Sequence, residues 1–181
     1  MPLFLFELTV ATAERTAVNA LLDEVGKAAA DVGGDLIESQ VTAGLDRVFA
    51  IVEASGAAVL TDVVTDATVP SAAGISGPDE VRLVGADLTA LKAARPRAGY
   101  LVEWDLPAEL DMESYLERKR TKAPRYADVP EVSFLRTYVR EDMAKCLCFY
   151  DAPDEDVVRR GRAAVDTPID RLHALDPGTS R

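Results

Sequence analysis

Ser133–Arg160 reads SFLRTYVREDMAKCLCFYDAPDEDVVRR, and a cruder copy of it stands at Asp35–Ala54, DLIESQVTAGLDRVFAIVEA. Leu36 lies over Phe134, Arg47 over Lys145 and Ala54 over Ala152, a constant offset of 98 residues with no gap. A repeat at this spacing governs the reading of the fold. In the later copy, Val132–Arg140 and Lys145–Asp151 are rich in β-branched and aromatic residues and form a hairpin across Glu141-Asp142. Ala152-Pro153 breaks the second strand. Asp154, Glu155 and Asp156 then open a helix that carries Arg159, Arg160 and Arg162 further along, the polarity that the helix dipole favours.

The same order extends outward from both copies. In the first half a strand is expected over Phe4–Val10. Val18, Leu21, Leu22, Val25 and Ala29 recur at three and four, which predicts a helix within Glu14–Asp31. Gly33-Gly34 ends it. Strands follow at Leu36–Val41 and Arg47–Glu53, a helix at Ala57–Asp66, a loop at Val69–Pro78 with Pro70, Gly74, Gly77 and Pro78, and a strand at Val81–Val84. Leu88–Ala94 is a short connecting helix. In the second half, after Arg95-Pro96-Arg97, a strand at Tyr100–Asp105 precedes a helix marked by Met112, Tyr115, Leu116 and Lys119, which Pro124 should end. Ile169–Leu175 is the last strand. The polar residues from Asp176 to Arg181 read as a loose tail.

Each half is thus strand-helix-strand-strand-helix-strand, the ferredoxin-like order. The expected fold is α+β, with a degenerate half at 1–94, a second at 95–175 and a flexible tail at 176–181. A four-stranded sheet with helices on one face leaves its other face open, and two such sheets can cover each other. The expectation is a pseudo-two-fold α+β barrel of two facing antiparallel sheets. The alternative is two halves that face apart, each covered in a homodimer.

Composition bounds the function. The chain has 181 residues, 48% hydrophobic and 28% charged, with a net charge of −11. That charge argues against binding nucleic-acid phosphates or anionic membranes. It is unevenly spread: residues 1–93 carry 5 Lys/Arg against 14 Asp/Glu, and the remainder 15 against 17. The apolar start, MPLFLFELTV, lacks a basic leader and is too short for a membrane span. A cytoplasmic protein is expected. Cys146 and Cys148 sit two apart on one strand, a spacing that strains a mutual disulfide, so they read as buried thiols. A nucleophilic cysteine would want a nearby histidine, and the single one, His173, lies on the last strand. There is no phosphate-binding glycine loop or dinucleotide fingerprint, and no cofactor is expected.

Tyr100-Leu101-Val102-Glu103, Phe134-Leu135-Arg136-Thr137-Tyr138-Val139, Glu141-Asp142, the run from Cys148 to Glu155 and Thr167-Pro168-Ile169-Asp170-Arg171 together resemble a family of ferredoxin-like domains. Some of its members are described as nickel-binding proteins. The resemblance covers Tyr100–Leu175 and implies the fold. In the first half Leu5-Phe6-Glu7, Arg47 and Glu53-Ala54 match. As a whole the chain resembles a fused dimeric α+β barrel. Metal-binding members use histidines, whereas Arg136 stands where relatives carry one; no resident metal is therefore expected.

Strand alternation assigns faces. Leu135, Val139, Leu147 and Phe149 suit packing against helices, with Trp104 placed in the core. Glu103, Phe134, Arg136, Tyr138, Cys148 and Tyr150 are then expected on the opposite side. Of these, Glu103 is the candidate general acid/base, Tyr138 the donor to a developing oxyanion and Arg136 the anchor for a carboxylate or enolate. A plain Glu103–Arg136 ion pair is the structural alternative. Glu7, Glu38 and Gln40 occupy the equivalent face of the first half. With Phe134, Cys148 and Tyr150 they are the candidate ligand-binding residues. The expected function is binding of a small molecule, with a cofactor-free isomerase, cyclase or lyase as its enzymatic form. The alternatives are a divalent-metal accessory protein using Glu7, Glu38 and Glu103, and an interaction module without a pocket.

Overall fold

The computed structural model describes residues 1–94 and 96–178. The expected opening of the second half at Arg95, and the end of the tail at 179–181, lie outside the described residues. The chain divides into two compact units. The first holds Met1–Val81, Leu88–Arg97 and the chain from Leu175 onward; the second holds Arg82–Asp87 and Ala98–Ala174.

The first unit runs β1 (Leu3–Val10), α1 (Arg15–Asp31), β2 (Asp35–Val41), β3 (Arg47–Glu53), α2 (Ala57–Val63), β4 (Ala72–Val84, its last residues in the second unit) and α3 (Leu88–Ala94). Its strands lie in the order β2-β3-β1-β4, all antiparallel. Phe4, Phe6, Leu8 and Val10 alternate onto one face of β1 with Val48, Ala50 and Val52 of β3. The α1 stripe of Val18, Leu21, Leu22, Val25 and Ala29 buries itself against them. Burial of each large aliphatic side chain stabilises by roughly 1.5–3 kcal/mol, so this stripe fixes which face of the sheet the helix covers.

The segment expected as a loop at Val69–Pro78 is instead strand from Ala72 onward. The glycines and proline fit because they form a bulge. Leu5 pairs with Asp79 and Glu7 with Ser76, so Gly77 and Pro78 together oppose Phe6. Gly77 has φ +112°, and a β-carbon there would lie 2.4 Å from the Leu5 carbonyl oxygen. Proline, which lacks an N–H, is tolerated at such a break in the ladder.

The second unit runs β5 (Tyr100–Asp105), α4 (Met112–Lys122), a 3-10 helix at Ala123–Asp128, β6 (Ser133–Arg140), β7 (Lys145–Asp151), α5 (Glu155–Ala164) and β8 (Arg171–Ala174). The strand order β6-β7-β5-β8 repeats that of the first unit. Asp111 caps α4 by accepting from the Ser114 N–H, and Asp154 caps α5 by accepting from the Val157 N–H. Each cap contributes about 1 kcal/mol. Pro124 ends α4 as expected, and the chain tightens into the 3-10 turn.

The repeat is physical as well as sequential. Each half carries a register shift at the same place, between Leu36 and Glu38 on β2 and between Phe134 and Arg136 on β6. Each hairpin turns through a left-handed residue, Leu45 at φ 58° and Met143 at φ 59°. Both pairs keep the offset of 98. Beyond β8, Leu175 bridges to Thr42, and Asp176 pairs with Arg15 at 2.6 Å within the first unit. Among the described residues no helix is long and apolar enough to cross a membrane.

Candidate functional site

Two arrangements of polar side chains arise in the second unit, one on each face of its sheet. On the face away from the helices, Glu103 of β5 pairs in register with Leu147, and Arg136 of β6 with Phe149. Glu103, Arg136 and Tyr138 are all buried and share this face, as expected. Glu103 is held at Oε2 by Lys145 Nζ (2.9 Å) and Arg171 Nε (3.1 Å), and at Oε1 by His173 Nε2 (2.7 Å). Burial acts to raise its pKa, but these three partners outweigh it and hold the carboxyl well below the ordinary range. The Arg136 guanidinium lies 5.0 Å over the Phe149 ring, and Tyr138 meets the same ring edge-on at 6.0 Å. In the first unit Glu7 pairs with Arg47 at 2.8 Å, and Gln40 donates to Glu38 at 2.8 Å.

The other three candidates of the second half go to the opposite face. Cys148 pairs with Val102 and Thr137, Cys146 with Trp104 and Val139, and Tyr150 with Tyr100 and Phe134. All lie in the core beneath α4 and α5. Leu147 and Phe149, expected against the helices, take the face of Glu103. The bulge at Leu135 explains the case of Phe134. It inserts one residue, so Phe134 and Arg136, two apart in sequence, point to opposite faces. For Cys148 and Tyr150 the apolar character of Leu147 and Phe149 misleads, because both faces of this sheet are buried.

On the helix face a pocket is lined by Trp104, Phe134 and Cys148 from the sheet and by Tyr115, Arg118, Lys119, Tyr126 and Arg162 from the helical segments. Its volume is about 50 Å³. A water takes roughly 10–15 Å³ on this scale, so it has room for a few waters or a small acid. Trp104 and Tyr115 lie 6.2 Å apart, and Tyr126 stacks on Phe134 at 5.8 Å. Lys119 Nζ sits 4.0 Å over the Phe134 ring and donates to Thr137 Oγ1 at 3.0 Å. Arg162 donates from Nη1 to Tyr150 Oη (3.2 Å) and Cys148 Sγ (3.5 Å), and from Nη2 to the Pro168 carbonyl. Tyr126 and Tyr150 share a 2.7 Å hydroxyl contact.

The electrostatics follow from this packing. Hydrogen bonding from Cys146, the charges of Lys119 and Arg162 and a hydrogen bond from Thr137 together hold the Cys148 thiol well below its usual range, against burial. Its neighbour Cys146 is pushed up by that same contact and by burial. Burial also raises Tyr126 to about 12 and pushes the Tyr115 and Tyr150 hydroxyls up. The guanidinium Nε–H groups of Arg118 and Arg162 are buried and meet no acceptor among the described residues.

Two of the candidate ligand-binding residues, Phe134 and Cys148, line this pocket, whereas its cations are not among the candidates, although the sequence carries two signals of them. Arg118, Lys119, Arg120 and Lys122 cluster at the end of one helix in an acidic chain, where they complement the α4 dipole. Arg162 stands four residues after Val158, on the face of α5 that helical spacing assigns to the core.

Residues 100–175 match the model of a family described as "Nickel responsive protein SCO4226-like". A comparison with curated proteins gives no match. Among solved structures the chain is similar to a provisionally named monooxygenase from Lactobacillus acidophilus NCFM. Identity is 11% over 99% of this chain and 95% of that one, with a TM-score of 0.54. It is similar also to a provisionally named chlorite dismutase, 13% identical over 97% of this chain and 95% of that one, with a TM-score of 0.53. At such identities the likeness establishes the fold alone, which is that of dimeric α+β barrel proteins.

Proposed function

We propose that the chain is a small-molecule-binding protein whose ligand is a small organic acid, held in the pocket beneath α4 and α5. The observation that carries this reading is that Arg118 and Arg162, two residues lining the pocket, each keep a buried guanidinium Nε–H without an acceptor among the described residues. Each such donor costs about 1–3 kcal/mol when left unmatched, a cost that an anionic oxygen removes. Lys119 adds a third cation at the wall, and Trp104, Tyr115 and Phe134 supply an apolar surface for the organic part. An adjoining open groove shares Trp104 and Arg118 and continues along Pro107, Leu110 and Ala163, which gives a longer ligand somewhere to lie. Benzoate and its neutral isostere benzamide test the reading by thermal shift. Benzoate should raise Tm and benzamide should not, and Lys119→Met should reduce the rise. Equal stabilisation by the two compounds, or by neither, would sink it.

A second reading keeps the proton-transfer chemistry expected of Glu103, Arg136 and Tyr138, which draws on their shared, buried face. Against it, three partners keep Glu103 ionised, whereas a general acid or base works best with a pKa near the operating pH. The organic-acid pocket is therefore preferred. If Glu103→Gln folds and still shows the benzoate response, the pocket acts independently of Glu103.

The family description raises nickel, and these residues do not fit it. Among the described residues no group of three or more His, Cys, Asp or Glu is placed to hold a metal ion. The Glu103–His173 pair already carries Lys145 and Arg171, and Cys148 faces Arg162. Cations of this kind oppose a bound divalent ion.

A further inference from the structure

Cys148 lines the cationic pocket, and donors converge on its sulfur. Thr137 Oγ1 donates at 3.1 Å, Arg162 Nη1 at 3.5 Å, and Cys146 Sγ lies 3.8 Å away. Arg162 can only donate. The Thr137 hydroxyl already accepts from Lys119, which directs its own proton toward the sulfur. A sulfur surrounded in this way is arranged as an acceptor. A buried structural thiol, the role expected from the sequence, requires no cations.

We infer that Cys148 is a nucleophilic thiolate and that the pocket captures small anionic electrophiles covalently, namely carboxylic acids with a leaving group on the α-carbon. The inference rests on the organic-acid reading of the pocket. The acid's carboxylate is drawn by Lys119, Arg118 and Arg162, which brings its α-carbon to the sulfur. A lone pair of Cys148 Sγ forms the new S–C bond while the bond to the leaving group breaks. The leaving group departs with that electron pair. No proton moves: the thiolate charge is consumed, Thr137 and Cys146 keep their protons, and the bound carboxylate replaces the sulfur as counterion of the cations.

Iodoacetate and iodoacetamide separate this from simple thiol exposure, because they offer the same carbon and the same leaving group and differ in charge. On the folded full-length chain at neutral pH, mass mapping should find Cys148 alkylated and Cys146 untouched. A field-focusing pocket concentrates an anion by about tenfold or more, so iodoacetate should label faster than iodoacetamide by at least that factor. Lys119→Met should lower the preference several-fold, and benzoate should protect. A Cys148→Ser chain should lose labelling by both reagents, with a native far-UV circular-dichroism spectrum as its folding control. Preference for iodoacetamide, labelling at Cys146 instead, or no labelling by either reagent overturns the inference. If benzoate still stabilises a protein whose Cys148 resists both reagents, the thiolate is refuted and the organic-acid pocket stands. If the benzoate response is also missing, both readings fail.

Discussion

Lys145 on β7 lies 2.9 Å from Glu103 on β5, and this pair repeats that of Arg47 on β3 with Glu7 on β1, which are 2.8 Å apart. In both halves the cation opens the third strand and reaches the glutamate of the first strand diagonally, across the pairs Asp105↔Lys145 and Thr9↔Arg47. The surroundings decide what each pair is worth. The Glu103 side chain is 1% exposed and also holds Arg171, whereas Glu7 is 11% exposed and its Arg47 30%. Removing one member of a buried pair costs about 3–5 kcal/mol, because the remaining charge is left uncompensated. Partly exposed pairs contribute about 0–1 kcal/mol. Glu103→Gln should therefore lower the urea-unfolding free energy several times more than Glu7→Gln. Equal losses would mean that burial does not distinguish the two copies.

The same carboxylate sets an acid limb. Its folded pKa lies well below the ordinary value of 4.5, because His173, Lys145 and Arg171 outweigh its burial. A depressed pKa contributes stability that is fully present above 4.5 and is lost as pH falls from there toward the folded value. Urea midpoints taken from pH 7 downward should show the wild-type chain losing stability more steeply below about pH 4.5 than Glu103→Gln, so that the two converge. A gap that stays constant to pH 3 would contradict this.

The repeat makes much of this legible in the sequence. The offset of 98 placed Arg47 over Lys145, and the structure adds the bulges at Ile37 and Leu135 and the left-handed turns at Leu45 and Met143 at that same offset. Strand alternation failed where its premise failed. It assumes an unbroken period of two, and the bulge at Leu135 moves Phe134 to the face opposite Arg136. It also assumes that the more apolar face meets the helices, whereas here Leu147 and Phe149 are as buried as Cys146 and Cys148. The strand through Gly74, Gly77 and Pro78 was hidden for a related reason: residues that ordinarily mark loops serve a bulge. The pocket was the least legible part. Its cations come from α4 and α5, and sequence spacing within either helix does not reveal that they meet over Trp104.

Gly161 of α5 gives a packing prediction in which two effects oppose. Alanine is favoured over glycine inside a helix by about 1 kcal/mol. A β-carbon at Gly161, however, would lie 2.8 Å from Val132 Cγ1 and 3.4 Å from Val132 Cβ. Val132 is buried among Val129, Val157 and Val158, and overpacking such a site costs about 1–3 kcal/mol. Overpacking should win, so Gly161→Ala should lower Tm by several degrees, and Gly161→Ala with Val132→Ala should recover part of the loss. A stabilised single variant would mean that α5 shifts freely away from Val132.

Trp104 reports on the pocket directly, because it is the single tryptophan of the chain and its ring lies 5.8 Å from the Arg118 guanidinium and 5.9 Å from that of Arg162. A carboxylate that joins these cations displaces water beside the indole. Benzoate should therefore shift its emission to shorter wavelength along a saturable curve, and benzamide should not. A hydrogen bond to a charged group contributes about 1.5–3 kcal/mol. Lys119 is already partly occupied by Thr137, so Lys119→Met should weaken benzoate at the lower end of that range, about tenfold in Kd. A benzoate-induced rise in Tm without any change in Trp104 emission would place the acid elsewhere on the chain, and Arg118 and Arg162 would then not be its partners.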